Sequence, residues 1–167
     1  RTPLAFRMMV LQSHYRHQMN FSWDNLEAAE NRLKNLQAMA DLRFQALNGA
    51  TSMESEITTT QSSILASLQN DLNTPEALAQ LSGLVEKLTT TGLSQSDSSV
   101  FSSFITFIDS VLGFGLLTSA DITEGQKQLI EERQNARDDK DFEKADGARD
   151  ALAEHGIELK DTPHGTL

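Results

Sequence analysis

Apolar positions recur along most of the chain at the three- and four-residue spacing of amphipathic helices. In "TPLAFRMMVLQSHYR", Leu4, Met8 and Leu11 keep that spacing. Thr2 can cap the helix, and Pro3 suits a first turn, where no backbone N–H is needed. After a polar loop, "HQMNF", Ser22 is placed to cap a long helix with Leu26, Ala29, Leu33, Leu36 and Ala40 on one face, and Asn48-Gly49 supplies its stop. A third helix is predicted over about 57–70, with Ile57, Ile64, Leu65 and Leu68 inward. "DLNTPEALAQL" restarts the pattern: Asn73 or Thr74 caps, Pro75 opens, and Glu76 favours the positive end of the helix dipole. The Ser/Thr-rich stretch "TTTGLSQSDSS" reads as a loop, the part of the bundle best suited to be mobile or variable. A further helix follows with Val100, Phe104, Phe107, Ile108 and Val111 as its buried side.

Near residue 120 the character of the chain changes. Residues 121–167 hold 7 of the 14 Lys and Arg residues and 13 of the 24 Asp and Glu residues, a net −6. Under a third of the chain carries over half of its charge, which marks a second, smaller unit. Thr123 and Gln126 have the spacing of a capping box. One helix is predicted to about Asp138 and a second from Asp141 to Glu154, ended by Gly156. "IELKD" alternates apolar and polar like a short strand, and "TPHGT" is turn chemistry. The fold class is therefore mainly α: an antiparallel helical bundle over 1–120, then a small helix–helix–short strand unit over 121–167.

Composition narrows the function classes. The 167 residues suffice for one domain with an appendage and a real core. Apolar content of 38% with 23% charged residues fits a globular chain. No apolar run approaches the roughly 20 residues that span a bilayer, and "RTPLAFRMMVLQ" lacks a signal-cleavage pattern. The absence of cysteine excludes disulfides and thiolate metal sites and suits a cytoplasmic protein. The chain opens at Arg1 without an initiator Met, as a piece of a longer protein would. A net charge of −10 argues against non-specific nucleic-acid binding by the whole surface, while leaving room for a local patch.

No phosphate-binding glycine loop, Ser/His/Asp or Cys/His arrangement is present, so no catalytic residue is assigned. His14 and His17 are three apart and lack an acidic neighbour in sequence; no metal site is expected. Two stretches carry recognition chemistry. His14, Tyr15 and Arg16 either end the first helix, complementing its dipole, or form a basic, aromatic corner that meets an RNA backbone. In "DKDFEKADGARDAL", a helical wheel sets Ala145, Ala148 and Leu152 on one side, with Asp146 and Arg149 near Phe142. Phe142 either seals the edge of a small core or stacks an unpaired base beside a carboxylate and a guanidinium that read its edge.

Three blocks resemble the C-terminal part of bacterial cysteinyl-tRNA synthetases: "LQSHYRHQMNFSWDNLEAAENRL", "DLNTPEALAQL" and, most specifically, "LIEERQNARDDKDFEKADGARDALAEHGIELKDTPHGT". The likeness runs from about Pro3 to Thr166. It implies that residues 1–120 are a DALR-type helical tRNA-binding domain and 121–167 an anticodon-recognition unit. The parent activates cysteine with ATP and esterifies it to tRNA(Cys). Its HIGH and KMSKS motifs and its zinc ligands lie upstream and do not occur here, so ATP and zinc are expected only in that catalytic domain, with which this part would partner. By the same resemblance, the residues reading a GCA anticodon are Arg137, Phe142 (Trp in some members), Asp146 and Asp161. Arginine can pair with guanine acceptors, carboxylates accept from base amino groups, and the ring stacks.

Two other readings compete. A non-catalytic helical protein–protein interaction module would use an exposed apolar face of "SVFSSFITFIDSVLGFGLL". The cysteine-ligating enzyme of mycothiol synthesis shares the "HYR" region but lacks the terminal unit, so residues 121–167 argue against it.

Overall fold

The computed structural model describes residues 2–44, 49–157, 159, 161, 162, 165 and 166. The chain is mainly helical and divides into two compact units, Arg1–Ser119 and Ala120–Leu167.

The first unit holds α1 (Pro3–Leu11), α2 (Trp23–Asp41), α3 (Glu54–Gln69), α4 (Thr74–Thr91) and α5 (Ser98–Leu112). Helices α1 and α2 pack on each other, as do α3 and α4, and α5 lies on α3. The expected caps are in place. Thr2 accepts from the Ala5 N–H, Ser22 from that of Asn25, and Asn73, not Thr74, from that of Glu76. Helix α2 passes into a 3₁₀ turn at Leu42–Phe44; the stop expected at Asn48-Gly49 lies partly outside the described residues.

The core contains Met8, Leu26, Ile57, Leu81, Phe104 and Ile108 among others. Two positions expected inside are not. Leu65 is 45% exposed and Val111 43% exposed. Leu65 follows the fully buried Ile64, and Val111 lies one turn from the fully buried Ile108; a helix turns only its inner arc to its partner, and the sequence stripe is wider than that arc.

The Ser/Thr-rich stretch is also more ordered than a plain loop. Thr89–Thr91 complete α4, Gly92 (φ +74°) ends it, and a 3₁₀ turn at Gln95–Asp97 leads into α5. Asp97 is fully buried there. Its Oδ1 accepts from the Ser52 hydroxyl at 2.6 Å and the Met53 N–H at 3.0 Å, and its Oδ2 from the Ser94 N–H at 2.9 Å and hydroxyl at 2.7 Å. One carboxylate thereby serves the start of α3, where Met53 offers no side-chain cap, and the approach to α5.

The second unit is built on α6 (Glu124–Asp138) packed against α7 (Phe142–Glu154). The Thr123–Gln126 capping box is reciprocal: Gln126 N–H to Thr123 Oγ1 at 3.3 Å, Thr123 N–H to Gln126 Oε1 at 2.8 Å. Small side chains, Ala136, Ala145 and Ala148, with Leu152, form the buried seam. Strand pairing lies later than expected. Ile157 and Leu159 are outside any strand, and the two-residue strands β1 (Asp161–Thr162) and β2 (Gly165–Thr166) pair antiparallel, Asp161 opposite Thr166.

Candidate nucleic-acid interface

The α6–α7 connection is one of two places where the predicted recognition residues gather. Helix α6 ends in a Schellman arrangement: Lys140 N–H bonds to Arg137 O at 3.0 Å and Asp141 N–H to Ala136 O at 2.7 Å. The left-handed position is taken by Lys140 (φ +60°), where glycine is usual. This tight reversal lets Asp141 cap α7 at once, accepting from the Lys144 N–H at 3.2 Å. Phe142 is consequently the first residue of α7, and Arg137 sits in the last turn of α6.

The ring of Phe142 is 64% exposed, while Ala145, Ala148 and Leu152 take the buried side of the same helix. Of the two readings of this aromatic, the core-edge plug therefore does not hold: the ring stands in solvent. Asp146, one turn on, and Arg137 are exposed as well. Phe142 and Asp146 share a face of α7. Asp161 lies in β1, and its side chain is outside the described residues. Helix α7 ends in a second Schellman arrangement, with Gly156 (φ +77°) N–H on Ala153 O at 2.9 Å and Ile157 N–H on Leu152 O at 3.0 Å.

The second place is the α1–α2 connection in the first unit. Helix α1 stops at Leu11, so His14, Tyr15 and Arg16 do not form its last turn, and the dipole-complementing reading is corrected. They form a separate turn, closed by His17 N–H on His14 O at 2.9 Å. His14 and His17 therefore lack the helical geometry on which a shared metal depended, and no three His, Asp or Glu side chains converge among the described residues. His14 stacks on Tyr15, with ring centroids 4.9 Å apart, and the Arg16 guanidinium lies over the same ring at 5.4 Å.

A residue that sequence reasoning missed organises this corner. Asp71, in the α3–α4 turn with φ +55°, takes the Tyr15 hydroxyl at 2.6 Å and Arg16 Nη2 at 2.8 Å, with His14 Nε2 at 3.7 Å from its other oxygen. The bond from Tyr15, and then the Arg16 charge, hold the Asp71 carboxyl below the usual range; the Asp71 bond in turn raises the Tyr15 hydroxyl. Arg16 is thus ion-paired within the protein. Asp71 belongs to the same quoted block as Asn73, but no sequence spacing links it to Tyr15. Most of the apolar stretch 99–117 is spent on the core: Phe101, Phe104, Ile105, Ile108 and Leu116 are buried, while Val111 and Leu117 are exposed.

Residues 119–166 match the family model described as the cysteinyl-tRNA ligase anticodon binding domain. The second unit thus has the sequence of an anticodon-binding module, of the kind found in aminoacyl-tRNA synthetases. Across both units the chain is similar to cysteine–tRNA ligases. It is 34% identical to that of Novosphingobium aromaticivorans, over 95% of this chain and 34% of the relative. It is 33% identical to cysteine–tRNA ligase 1 of Burkholderia lata, over 98% and 33%. For the enzyme of Lachnoclostridium phytofermentans the figures are 34% identity, 98% and 38%. The chain spans about a third of the length of these curated relatives. Together these matches show the relationship read from the three sequence blocks, to the C-terminal region of cysteinyl-tRNA synthetase.

Proposed function

We propose that this chain is the tRNA-binding C-terminal part of a cysteine–tRNA ligase and that its second unit recognises the GCA anticodon of tRNA(Cys). The observation that carries the reading is the exposed Phe142 ring, held beside Asp146 on a helix within the segment matching the anticodon-binding family. A large ring is left in water at the cost of the stabilisation its burial would give, about 1.5–3 kcal/mol. Stacking an unpaired base recovers that stabilisation on binding.

In this reading residues 1–120 form an antiparallel, DALR-type bundle that meets the tRNA body, and 121–167 the anticodon unit. Phe142 stacks a splayed base. Asp146 and Asp161 accept hydrogen bonds from base amino groups, and Arg137 donates to guanine acceptors. Carboxylates near RNA are repelled by phosphates, so their place in such a site is to discriminate, while affinity comes from elsewhere. His14, Tyr15 and Arg16 contact the tRNA backbone only in part, since Asp71 already holds Tyr15 and Arg16. The catalytic domain of the ligase partners this part and holds ATP and zinc. This chain has no cysteine, and no His/Asp/Glu cluster that fits zinc is found among the described residues. The ligase is placed in the cytoplasm; among the described residues no helix is long and apolar enough to cross a membrane.

The test is binding of an anticodon stem-loop RNA carrying GCA against one with a swapped anticodon base. Preference for GCA is expected, and Arg137→Ala should erase about 1–3 kcal/mol of it. Equal affinity of the wild-type chain for both RNAs overturns the reading.

A further inference from the structure

The helix face that carries Phe142 and Asp146 bears a third group that neither the family match nor the anticodon residues account for. With about 100° per residue, Asp146 lies roughly 40° to one side of Phe142 and Arg149 roughly 20° to the other. At 1.5 Å rise per residue, Arg149 stands about 10 Å along α7 from Phe142. All three are exposed.

Arg149 differs from Lys127, Arg133, Arg137 and Lys144, and from Lys140, which is exposed in the α6–α7 turn and not on this face of α7. Lys127 is spent on Asp121 at 2.7 Å and Glu124 at 3.2 Å. Arg133 is buried. Arg133 and Arg137 both have partners. Lys144 lies about 200° from Phe142, on the other side of the helix. Arg149 makes no hydrogen bond or ion pair among the described residues, although Asp146, three positions earlier, is within helical reach.

We propose that Arg149 is a phosphate-contacting residue of the RNA interface, one turn beyond Asp146; this rests on the reading of the unit as an anticodon-binding domain. The unit's net charge of −6 makes the approach of an RNA backbone unfavourable. A planar guanidinium that is not committed within the protein can bind a phosphate through two parallel N–H donors. Placed in line with the ring and the carboxylate, it holds the backbone of the nucleotides whose bases they engage. The face then divides its work: Phe142 stacks, Asp146 reads and Arg149 positions.

The experiment is equilibrium binding of this chain to the GCA stem-loop RNA and the swapped-base RNA over a series of salt concentrations. Arg149→Ala should weaken both RNAs alike, about tenfold at low salt. It should also flatten the dependence of log Kd on log salt by about 0.7, the share of one phosphate contact on a single strand. Arg149→Lys should keep the wild-type slope, because it keeps the charge. If Phe142→Ala weakens binding while Arg149→Ala changes neither affinity nor slope, the phosphate role falls and the anticodon reading stands. A loss confined to the GCA RNA also overturns it, since that is base reading. If neither RNA binds the wild-type chain, or Phe142→Ala has no effect, the anticodon reading falls and this proposal with it.

Discussion

The Tyr15 hydroxyl donates a 2.6 Å hydrogen bond to Asp71 Oδ1 across 56 positions of sequence. It joins the α1–α2 connection to the α3–α4 turn, so the two helix pairs of the bundle are tied at one corner. Arg16 adds a 2.8 Å ion pair to the same oxygen.

Asp71→Asn removes the charge while keeping a residue that tolerates left-handed backbone. A fall in Tm of a few degrees at most is expected at neutral pH, as suits an exposed network. Tyr15→Phe should lower Tm similarly, and the double variant should fall short of the sum, because both remove one contact. The Asp71 pKa is depressed, so its contribution is present above its unfolded value of 3.8 and is lost as the pH falls below it. The Tyr15 pKa is raised, so its share is present below pH 10 and lost above. Fully additive losses in melting experiments would show that the two residues act separately.

Asp97 sets a larger acid dependence. Burial alone would raise its pKa, but the bonds from Ser52, Ser94 and Met53 outweigh it and hold the carboxyl at about 2, from 3.8. Its stabilisation is therefore complete above pH 3.8 and lost as the pH falls toward 2, about 2 kcal/mol in all. Asp97→Ala strands four donor groups and should cost about 2–4 kcal/mol at pH 7. Urea unfolding of both proteins at pH 7 and at pH 2.5 reads the result, and the gap between them should narrow in acid. A gap independent of pH would assign the loss to packing alone.

Lys140 holds a left-handed conformation that favours glycine. Lys140→Gly relieves that strain and gives back some chain entropy, so a gain of up to about 1 kcal/mol is expected. Destabilisation in the same urea assay would mean that the Lys140 side chain supports the α6–α7 turn.

Phe142→Ala should leave the unfolding free energy within about 0.5 kcal/mol of wild type, because the ring is exposed. Binding of the GCA stem-loop should nevertheless weaken by about 1–3 kcal/mol, the loss of one base stack. A stability loss of the same size as the binding loss would instead place the ring's role in the fold.

The sequence alone carried the helices and most of their caps, though not the end of α1 at Leu11 or the last turn of α4. Thr2, Ser22, Asn73, the Thr123–Gln126 pair and Gly156 were legible because a cap closes its hydrogen bonds within three or four residues, and the pattern that signals it lies in one short window. It also carried the second unit's distinct charge and the blocks that the family comparisons match. Tertiary structure decided the rest. Which side of a broad apolar stripe is covered depends on the partner helix, so Leu65 and Val111 are exposed despite their spacing. Whether Phe142 plugs a core or stands in water depends on how closely Ala136, Ala145 and Ala148 let α6 and α7 approach. Asp71 meets Tyr15, and Asp97 meets Ser52, across 56 and 45 positions of chain. An acceptor is defined by the donors around it, and those donors assemble only when the chain has folded.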